Sequence, residues 1–133
     1  MSLQPAAIVF PDAELWATGA LRAALAGRAE PYAAGVKVSN AVPSTRPVRL
    51  VTIRRDGGAA NGVLDLPRLA VNVWAATDQD ATDLARLVAA LLWSLPGDGV
   101  CVAMTQVAGP SPIADAQPRR FMSFEAALRG SDL

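Results

Sequence analysis

The chain has 133 residues, 52% of them apolar, and its twelve basic residues balance twelve acidic ones. This length supports one domain with a modest core, and the neutral balance lacks the basic excess of a dedicated DNA- or RNA-binding protein. The sequence contains no His and one Cys. It therefore excludes His-dependent catalytic triads and any disulfide within the chain.

The first half of the chain contains a predicted helix and two predicted strands. Residues 13–26 are rich in Ala and Leu, and Asp12 before them and Gly27 after them are ordinary start and stop signals of a helix. Strands are predicted at 36–39 and at 48–55, where β-branched residues are frequent. Residues 56–62 have the most flexible composition in the chain. They predict a hairpin with a long, mobile tip.

At the centre of the chain, a predicted strand runs directly into a long predicted helix. Leu69, Val71 and Val73 alternate with mixed neighbours, which is typical of a strand with one apolar face. From residue 78 the spacing becomes helical, with Thr77 as N-cap and Pro96 as the stop signal. The stripe expected to face the core consists of Leu84, Val88, Leu91 and Leu95, flanked by Ala81, Leu87 and Leu92. This arrangement predicts a helix that lies on a sheet.

The last third of the chain adds two predicted strands, at 100–107 and 119–128. Cys101, in the first of them, is expected to be a buried and unreactive thiol. Residues 109–118 are predicted to form a loop, because their three prolines cannot donate to a strand ladder. The order α-β-β-β-α-β-β predicts a single α+β domain over 1–133, with two helices and a largely antiparallel or mixed sheet of about four to five strands.

No catalytic, cofactor-binding or metal-binding residue is predicted, so the sequence favours a protein that is not an enzyme. Lys37 follows no glycine-rich phosphate loop. Asp78, Asp80 and Asp83 do not share one helix face, and favourable charge near a helix start explains them better than a magnesium site does. The N-terminal residues lack the pattern of a signal peptide, and no apolar run reaches the length of a membrane span.

Five residues are candidates for contacts with other proteins. Trp93 lies opposite the apolar stripe of its helix, and exposed Trp is enriched at protein contacts, although a local cover near the helix end is an alternative. The basic pairs Arg54-Arg55 and Arg119-Arg120 lie at strand ends beside loops. They are either interface residues or solvated strand ends.

Several of these features together resemble the tail-terminator, or tail-completion, proteins of long-tailed bacteriophages, which are small α+β proteins. The likeness covers most of the chain. It rests on the helix that begins at Asp12, the Gly-rich hairpin 56–62, the run 65–75 followed by an Ala-rich helix, the Gly109-Pro110 loop, the Arg120-Phe121 start of the last strand, and the closing Leu128-Arg129-Gly130.

The resemblance implies a structural protein of the virion, assembled in the host cytoplasm and without cofactors. Such proteins form a ring homo-oligomer, here expected to be a hexamer, at the head-proximal end of the tail. The implied partners are the tail tube protein, the head-tail connector or neck protein and, without sequence specificity, the DNA that passes through the ring; no membrane is implied. The resemblance places Arg54, Arg55 and Asn61 near the tube or channel, and Arg119 and Arg120 near a neighbouring subunit.

Two other functions remain open at this stage. One is a head-tail neck or connector adaptor that binds a single partner, and a more distant one is a small enzyme that uses Asp and Arg without His. A ring predicts self-association through two different surfaces, whereas an adaptor predicts a monomer or a two-fold dimer.

Overall fold

A mixed sheet of six strands forms the centre of the computed structural model, which describes residues 6–133. Two α-helices and a separate two-stranded antiparallel sheet complete the domain. The elements in chain order are β1 Ile8–Val9, α1 Ala13–Ala26, a 3-10 turn Pro31–Ala33, β2 Lys37–Ser39, β3 Leu50–Gly57, β4 Leu64–Asp65, β5 Arg68–Trp74, α2 Asp78–Trp93, β6 Cys101–Ile113, β7 Arg119–Arg129 and β8 Ser131–Asp132. The predicted α+β class is confirmed.

The main sheet has β2 at one edge and β6 at the other. Its order is β2-β3-β5-β7-β6, and the short β4 continues the line of β5 along the same side of β7. The pair β2 and β3 is parallel, and the other strand pairs within residues 6–133 are antiparallel. The sequence did not predict β1, β4 or β8, because strands of two residues show no periodicity.

Both helices pack on one face of the sheet and form a single apolar core with it. Each helix begins where predicted, since Asp12 Oδ1 accepts a hydrogen bond from Leu15 N and Thr77 Oγ1 accepts one from Asp80 N, both at 3.1 Å. The core consists mainly of α1 residues Ala13, Ala17, Leu21 and Leu25, α2 residues Leu84, Val88 and Leu92, and strand residues Val51, Ile53, Leu69, Val71, Val73, Met122, Phe124 and Leu128.

The buried stripe of α2 is rotated relative to the prediction. Leu84 and Val88 are fully buried as expected, but Leu92 rather than Leu91 continues the stripe. Leu91 and Leu95 are partly buried beside the core. The small residues Ala81, Ala85 and Ala89 are also buried, so the face of α2 that meets the core consists of alanines as well as the larger apolar residues.

The prediction of a loop over 109–118 is wrong for its first half, because β6 extends to Ile113 and the connection to β7 spans only residues 114–118.

The backbone directions in β7 explain why β6 can contain a proline. Ala126 N donates to the Pro67 carbonyl, so even-numbered residues of β7 direct their backbone groups toward β4 and β5. Pro112 lies opposite Arg120 and would direct an N–H away from β7. Proline therefore costs this edge strand no ladder bond at that position. Three register shifts accommodate the remaining irregularity.

Cys101 is buried as predicted, with 3% of its surface exposed. Its Sγ lies 3.2 Å from the Ala103 carbonyl oxygen, to which it donates. Burial, followed by the negative charge of Asp98, raises the pKa of the thiol. Neither helix of the described residues is long and apolar enough to cross a membrane.

Candidate assembly surfaces

The loop between β6 and β7 is held against the rest of the domain by one carboxylate. Asp115 Oδ1 accepts from Arg46 Nη1 at 2.9 Å, and Oδ2 accepts from Trp74 Nε1 at 3.1 Å and from Arg119 Nη1 at 3.5 Å. The guanidinium carbons of Arg46 and Arg119 lie 5.2 and 5.0 Å from the centre of the Trp74 ring, within the range of cation–π attraction. We call these four residues the Asp115 cluster.

The Asp115 cluster holds in place charged side chains whose partners could not be identified from the sequence. Hydrogen bonds from Arg46 and then from Trp74 lower the pKa of the Asp115 carboxyl. Arg119 also donates from Nε to Asn72 Oδ1 at 2.9 Å. Arg119 is therefore committed to contacts within the chain, on the face of the sheet opposite the helices. Its role as a contact to a neighbouring subunit stays a prediction.

Arg120 lies on the other face, where it joins β7 to the start of α2. Its side chain is only 13% exposed. Nη2 lies 3.3 Å from both the Asp78 carbonyl oxygen and Thr82 Oγ1, and 3.6 Å from the Asp78 carboxylate. Residues 112–120 and Asp78 line an open cleft of about 400 Å³. Arg120 therefore connects β7 to α2 within the subunit, and little of its side chain is accessible to a partner.

Arg55, near the end of β3, holds the Gly-rich segment in place through hydrogen bonds. The guanidinium of Arg55 makes a bidentate pair with the buried Asp65, at 2.6 and 2.8 Å, and donates to the carbonyl oxygens of Gly57 and Gly58. The side-chain hydrogen bond with Asp65 raises the pKa of Arg55. Gly58 has a φ of +80°, and a Cβ there would collide with the Leu66 carbonyl. Most of the hydrogen-bonding capacity of Arg55 is therefore used within the loop.

Asn61 also serves the conformation of this loop. Its Oδ1 accepts from the backbone N–H groups of Val63 and Leu64, at 2.9 and 2.8 Å. This local turn leaves the side chain of Val63 71% exposed. The segment 56–62 thus has a defined conformation that extends into β4, and β4 in turn pairs with β7.

Arg54 differs from its neighbour because it is exposed. It lies on the face of the sheet opposite the helices, paired in register with Ala70. Its side chain makes no hydrogen bond or ion pair to any residue between 6 and 133. Of the predicted contact residues in this half of the chain, Arg54 is the one whose charge stays available to a partner.

Trp93 is half-exposed and nevertheless held in one orientation. Its surface is 49% exposed, Nε1 donates to Gln106 Oε1 at 3.2 Å, and its ring packs edge-on against Phe124 with centroids 6.5 Å apart. Trp93 thus lies beside the buried stripe of α2, with part of its ring covered by Phe124 and Gln106, and its role in contacts with other proteins stays a prediction. A fixed aromatic ring is a favourable contact for a partner, because little conformational entropy is lost on binding.

The predicted contact residues fall into three separate regions of the molecule. Arg119 and Arg120 lie where β7 begins, Arg54, Arg55 and Asn61 lie at the opposite end of the sheet, and Trp93 lies beside β6. Leu15, which is 71% exposed on α1, is not among the contact residues predicted from the sequence. The spacing of Ala13, Ala17, Leu21 and Leu25 could have indicated it, because Leu15 lies off that stripe.

The described part of the chain contains no group of three His, Cys, Asp or Glu side chains arranged to hold a metal ion. Comparison with models of known protein families and with curated proteins gives no match for this chain.

Proposed function

We propose that this protein is a structural subunit of the tail-terminator type, which assembles into a ring at the head-proximal end of a phage tail and offers a surface for head joining. The support from sequence is the resemblance of its element order, Gly-rich hairpin and final strand to that family. The support from structure is a small α+β body whose loops are anchored by side-chain hydrogen bonds, which suits a building block of a larger assembly.

The observation that carries this proposal is the half-exposed Trp93. About half of the Trp93 surface stays in water, and Trp is among the residues that dominate protein interfaces. Gln106 and Phe124 fix the ring in place before any partner arrives. This combination favours association with another protein surface over a catalytic function.

The described structure changes the roles that we assign within the proposed ring. Arg55, Arg119 and Arg120 act inside the subunit, where they fix the Gly-rich loop and the β6–β7 loop. Arg54 keeps an available charge on the uncovered face of the sheet and is the better candidate for contact with carboxylates of a tube subunit or with DNA phosphates.

Mass measurement of the purified protein, alone and with tail tubes, tests the proposal. We expect a closed ring of defined subunit number in at least one of these conditions, and electron microscopy should place it at one tube end. A monomer or a two-fold dimer that does not bind tail tubes would contradict the proposal and would favour an adaptor instead. Trp93→Ala should weaken assembly, whereas Val63→Ala, at another exposed apolar side chain, should leave it unchanged.

A further inference from the structure

The two edges of the main sheet are both protected against strand addition. At one edge, β2 has three residues, and the carbonyl oxygen of Val38 accepts a hydrogen bond from Arg22 Nη2 at 2.9 Å. At the other edge, β6 carries Pro110 and Pro112 and three register shifts. Prolines, irregular register and short edge strands all hinder pairing with another chain. We therefore expect neighbouring subunits to join through side chains and not through an extension of the main sheet.

Each helix carries one large apolar side chain that is exposed. Leu15 of α1 is 71% exposed and Trp93 of α2 is 49% exposed. Leu15 and Arg22 lie on the same side of α1, and Arg22 donates a hydrogen bond to Val38 of the edge strand β2. Trp93 donates a hydrogen bond to Gln106 of the opposite edge strand, β6. The two side chains therefore lie on opposite lateral sides of the domain.

Leu15 and Trp93 also lie at the same height along the sheet. The neighbour of Leu15 in the sequence, Trp16, donates from Nε1 to Asp98 Oδ2 at 2.9 Å, and Asp98 belongs to the loop that follows α2. The start of α1 and the end of α2 are therefore adjacent. Two different surfaces, level with each other on opposite sides, are what a head-to-tail contact between identical subunits requires.

The surface around Leu15 has part of the chemistry that this protein uses to hold a tryptophan. A hollow of about 250 Å³ is lined by Asp12, Leu15 and Arg22, together with Glu14, Thr18, Ser39 and Asn40. Within the domain, Trp74 gives its indole N–H to the Asp115 carboxylate and has guanidinium groups beside its ring. Trp16 likewise gives its N–H to a carboxylate. The hollow offers one of these contacts, the exposed guanidinium of Arg22 for a ring face. Its carboxylates already accept hydrogen bonds within the chain, Asp12 from Leu15 N and Glu14 from Asn40 Nδ2 and Arg55 N.

We propose that the exposed part of the Trp93 ring of one subunit, with its N–H still donated to Gln106, packs over the hollow beside Leu15 of the next subunit, so that identical head-to-tail contacts close the ring. In this contact the ring of Trp93 packs on the Leu15 side chain and faces the Arg22 guanidinium. The occupant of the hollow is thus a second copy of this chain. The inference rests on the proposed function, because it assigns the contact by which the ring is built.

Complementary half-variants provide the test. Trp93→Glu removes the aromatic ring but keeps the hollow, whereas Leu15→Glu disrupts the hollow but keeps the ring. Each variant alone should lose assemblies larger than a monomer in a mass measurement. Mixed in equal amounts they should form a dimer of one copy of each and nothing larger, because one intact contact remains. Val63→Glu, at a side chain as exposed as Leu15, is the matched control and should assemble like the wild type.

The outcomes separate this inference from the proposed function. If the wild type forms a ring and both half-variants still form it, or if the mixture gives no dimer, the contact is wrong and the ring proposal stands. If Val63→Glu also fails to assemble, the loss is unspecific and the contact is equally overturned. If the wild type forms no ring with or without tubes, both proposals fail. If Trp93→Glu does not fold, Leu15→Glu alone still tests the contact. Its fold should be preserved, because an acidic residue in the first turn of a helix is favourable.

Discussion

At the scale of single residues, Asp115 connects parts of the chain that are far apart in sequence. Its carboxylate accepts from Arg46, Trp74 and Arg119, and it lies in the loop between β6 and β7. The same residue therefore positions that loop and holds the segment before β3 over the sheet. Asp65 has a comparable role at the opposite end, where it neutralises Arg55 beneath the Gly-rich loop.

Replacing Asp115 by Asn should destabilise the protein in a pH-dependent way. The pKa of Asp115 is lower in the folded protein than the ordinary value of 3.8, so the unfolded chain binds the proton more tightly. Its contribution to stability is therefore present above that value and is lost as the pH falls through and below it. Melting curves should show the largest difference between wild type and Asp115→Asn at neutral pH, and a shrinking difference in acid. The exposed Asp56→Asn is the control, and an equal effect there would contradict the role of Asp115.

The thiol of Cys101 should react slowly with thiol reagents under native conditions. It is buried, and burial together with Asp98 raises its pKa, so the reactive thiolate is scarce at neutral pH. Labelling followed by mass spectrometry should show slow modification of the folded protein and rapid modification in denaturant. Equal rates in both conditions would mean that β6 leaves the core readily.

At the scale of elements, the sequence predicts where regular structure begins better than which side chains face the core. Helix starts followed from Asp12 and Thr77, because capping depends on neighbours in the sequence. The orientation of α2 could be predicted only to within about one residue position, since Leu91 and Leu92 are equally apolar and only the sheet distinguishes them. The extension of β6 through its prolines depends on its place at a sheet edge, which composition does not indicate.

Replacing Leu92 by Ala should destabilise the domain more than replacing Leu91 by Ala. Leu92 is fully buried and loses its core contacts on truncation, at a cost of roughly 2–5 kcal/mol. Leu91 is only partly buried, so less apolar surface is re-exposed and a smaller cavity forms. Chemical denaturation of both variants provides the comparison. The reverse order of free energies of unfolding would mean that α2 packs with the face first expected from its leucines.

At the scale of the whole molecule, the ion pairs that define the loops were beyond prediction from the sequence. Arg46 and Asp115 are separated by 69 positions, and nothing in either neighbourhood indicates the other. The basic pairs at strand ends were recognisable, but only the fold shows that Arg54 stays exposed while Arg55 is enclosed. Helical spacing indicated that Trp93 would be exposed, but it could not show that Phe124 and Gln106 cover part of the ring. The hollow around Leu15 was beyond prediction because it is built from α1 and the residues of and after β2.

A ring held by Trp93 and Leu15 predicts that melting depends on protein concentration. If the subunits associate in the native state and separate on unfolding, mass action stabilises the folded form more as the concentration rises. We expect the melting temperature of the wild type to increase with concentration, measured by calorimetry over at least a hundredfold range. Leu15→Glu should melt at a temperature that does not change with concentration, while Val63→Glu should behave like the wild type. A concentration-independent wild type would show that the folded subunit gains no stability from neighbours, and the contact between Trp93 and the hollow would then have no thermodynamic support.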